Sequence, residues 1–167
     1  MPADTIVHRF IKQGEIRPKA PAYHVKKGGG WQATTWSTYV EQTRTAARAL
    51  ITLGIGRKQS NGSSDAASCV CILGFNRPEW TITDVAAMMV GAVPAGIYTT
   101  CSPPEVAYIV GHTDAKIIFV EDAGQLDKVL KTKSELPELE TAVLMKGAEA
   151  AKAAGDDVAG VTVLTWD

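Results

Sequence analysis

The strongest constraint on the fold is a pattern in which short apolar runs alternate with helices that begin near a proline. Each run is short, apolar and rich in residues that favour strands, as expected for strands that are covered on both faces. This order predicts βαβ crossovers and a mainly parallel sheet flanked by helices, which is an α/β fold. The predicted strands are 68–74, 92–97, 116–120, 139–145 and 161–165, and the helices between the first four are 76–90, the stretch after Ser102, and 125–133.

Two of these helices share the same start signal. Asn76 and Ser102 are predicted to cap them, a proline follows in the first turn, and Glu79 and Glu105 complete capping boxes three residues after the caps. Asn76 and Glu79 could instead contact a substrate, but capping explains both. Trp80 follows in the first helix, and we expect it to lie in the core rather than line a binding channel.

The flanking segments carry weaker signals. Residues 1–20 are polar and mixed and are expected to pack loosely or to lie across another surface, and the glycines of 28–30 predict a β-hairpin. Helical spacing predicts a helix over 39–53, started by Ser37 or Thr38 (the latter boxed with Glu41) and ended by Gly54. The Ser/Asn/Gly-rich stretch 56–67 is interpreted as a flexible loop, and the alanine-rich stretch 148–154 as a turn or two of helix.

Composition limits the function classes. The chain has 17 basic and 18 acidic residues in 167, and this balance indicates neither a nucleic-acid nor an anionic membrane partner. No apolar run approaches the length of a membrane helix. Cys69, Cys71 and Cys101 give no disulfide framework and are expected to be free thiols in a reducing compartment. The three histidines lack metal-ligand spacing, so no metal site is predicted.

In a parallel sheet, ligands bind beyond the carboxyl ends of the strands. This rule points to Phe75 and Asn76, to the stretch 98–101, and to Glu121 with Asp122. Tyr98, Thr99 and Thr100 have the most site-like position, and we predict that they lie near bound substrate. No Ser-His-Asp or Cys-His arrangement can be argued from the sequence, so no catalytic residue is predicted.

The residue patterns of two segments resemble those of a known family. CILGFNRPEW at 71–80 and GAVPAGIYTTCSPPEVAYIVGHTDAKIIFVED at 91–122 resemble the AMP-forming acyl-CoA synthetases. The GIYTT-x-S-P-x-E phrase is most similar to the long-chain group that includes the bubblegum-type enzymes. The resemblance implies an incomplete N-terminal part of an AMP-binding domain over 1–167. It also implies a parent activity that joins a fatty acid to coenzyme A with ATP, Mg²⁺ and an acyl-adenylate intermediate.

The sequence departs from the family pattern in two places. The Ser/Asn/Gly-rich stretch before 68 replaces a Gly-Asp-x-Val-type turn, with Asp65 as a candidate remnant. The family's Ser/Thr/Gly-rich phosphate loop, its Tyr-Gly-x-Thr-Glu and Thr-Gly-Asp motifs and its late catalytic lysine match no residue here. We therefore expect the isolated chain to lack adenylation activity.

Two rival interpretations stay open at this point. One is a stand-alone α/β binding or interaction module without catalysis, and the other is a different adenylate-forming branch, such as an aryl-acid or peptide-synthetase unit. We expect a cytoplasmic protein. Enzymes of this type often work at membranes, so a peripheral location stays open, although no segment here supplies an anchor.

Overall fold

A computed structural model describes residues 4–56, 67–147 and 157–167 of the chain. Its largest element is a six-stranded sheet with the order β4-β3-β5-β6-β8-β7. The first five of these strands run parallel, and β7 pairs antiparallel with β8. The strands are β3 (Cys69–Leu73), β4 (Val93–Ile97), β5 (Ile117–Val120), β6 (Thr141–Leu144), β7 (Asp157–Val158) and β8 (Val161–Thr165).

Helices cover the sheet from both sides. On one face lie α2 (Trp36–Thr52) and α3 (Pro78–Met89), and on the other lie α4 (Pro103–His112) and α5 (Ala123–Lys131). Every side chain of β3 and β5 is buried. The continuous apolarity of both strands follows from this double cover, and it confirms the predicted α/β architecture.

The proline in strand β4 is compatible with the position of that strand at the edge of the sheet. Pro94 has no backbone N–H to donate to a ladder, and its strand β4 lies at the edge of the sheet, where one side needs no partner. Gly91 ends the preceding helix with φ of 75°, and Gly54 does the same after α2 with φ of 76°. The predicted helix end at Gly54 is confirmed.

Of the two arrangements expected for residues 1–20, loose packing is wrong, because the segment lies across the surface of α2. Ile6–Ile16 form helix α1, which Thr5 caps by accepting a hydrogen bond from the backbone N–H of His8 at 3.2 Å. The ring of Phe10 is buried and meets Tyr39 of α2 edge-on, with 4.8 Å between centroids. This aromatic contact gives the N-terminal segment a fixed position on the domain.

The predicted hairpin is present as β1 (Pro21–Lys27) and β2 (Gly30–Thr35), joined through Gly28 and Gly29 at positive φ. Its Tyr23 ring packs edge-on against Tyr39 at 5.0 Å. The helix that follows begins earlier than predicted. Thr35, and neither Ser37 nor Thr38, is its N-cap, because the Thr35 hydroxyl accepts the Thr38 backbone N–H at 3.3 Å.

Several other boundaries shift. Helix α5 begins at Ala123 because Asp122 accepts the N–H groups of Gly124 and Gln125, and it ends at Lys131 before a short 3₁₀ turn. Strand β6 is shorter than the run 139–145. The predicted loop at 56–67 lies almost wholly, and the alanine-rich stretch at 148–154 wholly, outside the described residues.

Candidate functional site

The carboxyl ends of β3, β4 and β5 lie side by side, as the parallel pairing requires. Leu73 pairs with both Ile97 and Val120, so the loops that follow these three residues leave the sheet together. Phe75 and Asn76, Tyr98 to Cys101, and Glu121 with Asp122 therefore share one rim. We call this edge the strand-end rim. The parallel topology alone thus brings together the three segments to which the strand-end rule points.

The first loop of the rim begins helix α3 in a way that the sequence analysis missed. Arg77, and not Asn76, is the N-cap, and no side chain caps this helix. The reason is Pro78, which forces the preceding residue into the extended backbone seen at Arg77, with φ of −147° and ψ of 162°. Asn76 is exposed, and the prediction that it caps the helix is wrong.

Glu79 does not form the predicted capping box either. Its carboxylate accepts two hydrogen bonds from the Arg77 guanidinium, at 2.7 and 2.9 Å. Burial alone would raise the pKa of Glu79, but the hydrogen bonds and positive charge of Arg77, with a backbone hydrogen bond, bring it below its ordinary value. The same pair raises the pKa of Arg77.

Arg77 also contacts Glu121, which directly follows the neighbouring strand β5. Its Nη1 donates to Glu121 Oε1 at 3.1 Å, and the backbone N–H of Phe75 donates to Glu121 Oε2 at 3.2 Å. The Glu121 residue is only 6% exposed, so these donors satisfy a buried carboxylate. The pair lies 44 residues apart in sequence. No local sequence pattern could have revealed this pair. The sequence shows only an acidic residue at the end of a predicted strand.

The second loop of the rim is held from helix α5. Lys128 Nζ donates to the backbone carbonyls of Thr99 at 2.7 Å and of Cys101 at 2.8 Å. The Cys101 N–H closes a turn onto the Tyr98 carbonyl at 3.0 Å. Lys128 was not singled out from the sequence, where it looks like an ordinary surface lysine of a helix.

Ser102 and Glu105 form the predicted capping box of α4. The Glu105 carboxylate accepts hydrogen bonds from both the backbone N–H and the hydroxyl of Ser102, each at 2.7 Å. These hydrogen bonds lower the pKa of Glu105. The box fixes the far end of the loop that carries Tyr98, Thr99 and Thr100.

Two aromatic rings project from the fastened loops. Phe75 is 63% exposed and Tyr98 is 83% exposed, and each follows a strand of the same pair. Thr99 is half-buried and Thr100 exposed. Trp80, in contrast, packs on the core and lies over Gly96 of β4, as predicted. The rim thus combines rigid backbone with apolar surface that the described residues leave open.

The charged side chains of the rim are not available to bind a nucleoside triphosphate. Asp122 is committed to capping α5, and Glu121 and Glu79 are paired with Arg77. Two carboxylates therefore already neutralise Arg77, so this cluster carries no free positive charge for phosphates. Among the described residues, no group of three or more His, Cys, Asp or Glu side chains is arranged to bind a metal ion. The described residues of the rim do not fit ATP with Mg²⁺.

A second open feature lies between α2 and the sheet. It is a groove of about 410 Å³, bounded by the exposed side of α2 and by the sheet face that α2 and α3 leave uncovered. Its floor is apolar and comes from β5, β6 and β8, namely Phe119, Val143, Leu164 and the adjoining Trp166. Glu41, Gln42 and Thr45 of α2 give it a polar border.

Two cysteine thiols lie in the core of the domain. Cys69 and Cys71 are buried and unbridged, and Cys71 Sγ lies 3.4 Å from Thr113 Oγ1. The hydrogen bond with Cys69, together with burial, raises the pKa of the Cys71 thiol. His112 is the last residue of α4. Within the described residues, no helix is long and apolar enough to cross a bilayer.

Comparison with known proteins identifies the scaffold. The chain is 38% identical over 121 residues to a long-chain-fatty-acid–CoA ligase, ACSBG2, of Xenopus laevis, and 36% identical over 121 residues to ACSBG1 of Homo sapiens. Each alignment covers 72% of this chain but only 15% and 16%, respectively, of the relative. The chain therefore matches about one-sixth of these longer proteins.

Solved structures agree on the fold. The acetoacetyl-CoA synthetase of Streptomyces lividans matches 96% of this chain and 24% of its own, with a TM-score of 0.74 and 19% identity. The anthranilate CoA ligase AuaEII, in complex with anthranoyl-AMP, matches 83% of this chain and 24% of its own, with a TM-score of 0.71 and 22% identity. The family model described as AMP-binding enzyme matches residues 10–163. The chain belongs to the family of AMP-binding enzymes.

Proposed function

We propose that this chain is the N-terminal part of an enzyme that converts a long-chain fatty acid, ATP and coenzyme A into acyl-CoA, AMP and pyrophosphate. The observation that carries the proposal is the similarity to the two ACSBG ligases across 72% of the chain. The fold neighbours act on several different acids, so the fold alone does not favour a fatty acid.

Within that enzyme we assign the strand-end rim to substrate. Tyr98, Thr99 and Thr100 would contact the acyl chain or the neighbourhood of the nucleotide. The support is the exposure of Tyr98 and Thr100, the place of all three residues beyond a parallel strand, and the two hydrogen bonds from Lys128 that fix the loop. A loop held in this way offers a contact surface at small entropic cost.

ATP and coenzyme A are the co-substrates that the family implies, and we add Mg²⁺ as the companion of the ATP. The groups that bind phosphate and metal would come from protein outside this chain. We therefore propose that the isolated chain binds none of the three fully. We place the full enzyme in the cytoplasm.

The test is to express the protein with the coding sequence that follows Asp167 in frame. Acyl-CoA formation that depends on palmitate, ATP and coenzyme A supports the proposal. Equal activity with benzoate and none with palmitate would instead favour another adenylate-forming branch. A stop codon directly after Asp167, with a chain that unfolds in one cooperative transition, would favour a non-catalytic module.

A further inference from the structure

The loop of residues 98–101 leaves the sheet from its edge strand. Of the strands that the structure describes, only β3 pairs with β4. The Tyr98 side chain directly follows β4 and is 83% exposed, so packing against its own protein does little to fix it. The direction in which this ring points therefore depends on how the backbone of the loop is held.

The backbone of this loop bends around the ammonium group of Lys128. The carbonyl oxygens of Thr99 and Cys101 both accept hydrogen bonds from Nζ, at 2.7 and 2.8 Å. The Cys101 N–H also closes a turn onto the Tyr98 carbonyl at 3.0 Å. Two carbonyl oxygens that approach the same point repel each other through their partial negative charges, whereas a cation between them attracts both. The conformation of the loop therefore depends on a positive charge at this point.

Lys128 is committed to the loop rather than to water. It is half-buried, whereas the side chain of Lys131 in the same helix is 63% exposed and pairs with Asp127. Two of the three N–H donors of the Lys128 ammonium serve the loop. Ordering a lysine side chain costs rotamer entropy, and the two charge-assisted hydrogen bonds offset that cost.

The helices that border the loop are held by other contacts. The Glu105 carboxylate accepts the Ser102 backbone N–H at 2.7 Å and so fixes the start of α4. Asp122 caps the start of α5. Removal of the Lys128 ammonium should therefore release residues 98–101, while both helices keep their starts.

The rim suits an acyl chain better than it suits phosphates. Phe75 and Tyr98 expose their rings on neighbouring strand ends. The charges of Arg77, Glu79 and Glu121 are paired with one another. An apolar chain gains from contact with exposed rings, whereas phosphates require cations that are free.

We propose that Lys128 is a positioning residue for the ligase reaction: its ammonium holds loop 98–101 so that Tyr98 is presented to the acyl chain. This inference rests on the proposed function, which assigns the loop to substrate. Lys128 acts through the carbonyls of Thr99 and Cys101 and does not itself contact the fatty acid. Its loss should therefore weaken the binding of the fatty acid and leave the binding of ATP unchanged.

The first test measures the loop in the 167-residue chain. Cys101 is half-buried in the loop, so its rate of alkylation by iodoacetamide reports how readily the loop opens. Lys128→Met removes the charge from a side chain of similar length, and we expect it to raise this rate severalfold. Lys128→Arg keeps a cation with several N–H donors and should stay within about twofold of the parent rate. Lys131→Met, on the same helix, should leave the rate unchanged, and Cys71 should stay unlabelled in every variant that is folded.

The second test measures catalysis in the protein expressed with the coding sequence that follows Asp167. We expect Lys128→Met to raise the KM for palmitate about tenfold and to leave the KM for ATP unchanged. Lys128→Arg should keep the palmitate KM close to that of the parent enzyme, and Lys131→Met should match the parent in both constants. A variant that merely folds less completely would lower kcat and change neither KM, so the difference between the two substrates identifies positioning.

The two tests can fail separately. An alkylation rate of Cys101 that Lys128→Met leaves unchanged would show that the ammonium does not hold the loop, and would overturn the proposal. A faster rate with an unchanged palmitate KM, or with equal rises in the KM for palmitate and for ATP, would overturn the role in positioning the acyl chain. Absence of ligase activity from the unmodified longer protein would refute the proposed function and with it the role toward substrate, while the alkylation rates would still show whether Lys128 holds the loop.

Discussion

At the scale of single residues, the rim is organised by ion pairs that join two loops. The side chains of Arg77 and Glu79 are each 21% exposed and that of Glu121 is 8% exposed, so water screens these charges less than it screens a surface pair. Because the Glu121 carboxylate also accepts the Phe75 N–H, it couples the pair to the backbone of the first loop.

Glu121→Gln tests this coupling. The amide keeps the size and can still accept the Phe75 N–H, but it leaves Arg77 with one carboxylate fewer in a partly buried place. We expect a loss of about 1–3 kcal/mol in the free energy of unfolding, measured by urea denaturation. Glu140→Gln breaks the exposed pair with Lys116 and should cost less than about 0.5 kcal/mol. Equal losses would contradict the assignment.

The lowered pKa of Glu79 predicts how the stability of the fold depends on pH. Its pKa in the folded protein lies below its ordinary value of 4.5, so its charged form stabilises the fold above that value. This contribution is lost as the pH falls through the lower folded pKa. Glu79→Gln should therefore be less stable than the parent chain at pH 7, with a gap that narrows below about pH 4.5. A gap that stays constant down to about pH 3 would rule this out.

The thiols differ in their access to reagents. Cys101 is partly exposed in the second rim loop, whereas Cys69 and Cys71 are buried in β3. Native protein treated with iodoacetamide should be alkylated first at Cys101, and Cys71 should react only after unfolding, because its raised pKa also disfavours the thiolate. Mass spectrometry of the peptides reads the order. Labelling of Cys71 as fast as Cys101 would contradict the buried strand.

At the scale of elements, the close packing of α3 on the edge strand depends on a glycine. A Cβ placed on Gly96 would lie 2.9 Å from the ring of Trp80, a contact that forces the ring or the strand to move. We expect Gly96→Ala to lower the free energy of unfolding by about 1–3 kcal/mol. Gly30→Ala, at a strand position with open space and no positive φ, is the matched control and should change stability little.

The elements also show what the sequence could predict. The central strands β3 and β5 were predictable because they are apolar on both faces, and Pro94 and Gly91 mark an edge and a helix end. Helix α1 carried a signal that was overlooked, since Ile6 and Phe10, and likewise Val7 and Ile11, lie four residues apart after a capping Thr5. The start of α3 was misplaced because proline excludes a helical backbone at Arg77, which outweighs the capping preference of Asn76.

The side-chain contacts of the rim could not be predicted in the same way. Topology brings strand ends together, and that much follows from the order of the elements. The pairing of Arg77 with Glu121 and of Lys128 with the Thr99 carbonyl depends on side-chain geometry across 44 and 29 residues of sequence. A charged residue on a helix surface gives no local sign of such a partner.

At the scale of the whole molecule, the groove beside α2 distinguishes a part of an enzyme from a complete module. Its floor combines the half-buried Leu164 and Trp166 with the buried Phe119 and Val143, so an apolar ring can enter the groove and contact them. We expect the chain to bind the dye ANS, and Leu164→Glu, at the half-buried floor, to reduce that fluorescence severalfold. A chain that binds no dye would favour the stand-alone module.

The most direct test of the account is fatty-acid-dependent exchange between ATP and pyrophosphate by the purified 167-residue chain. The account predicts none, because the only cation of the Arg77 cluster is neutralised by Glu79 and Glu121, and the sequence contains no phosphate loop. Measurable exchange above a control without palmitate would show that the reaction residues lie within this chain, and would contradict the account.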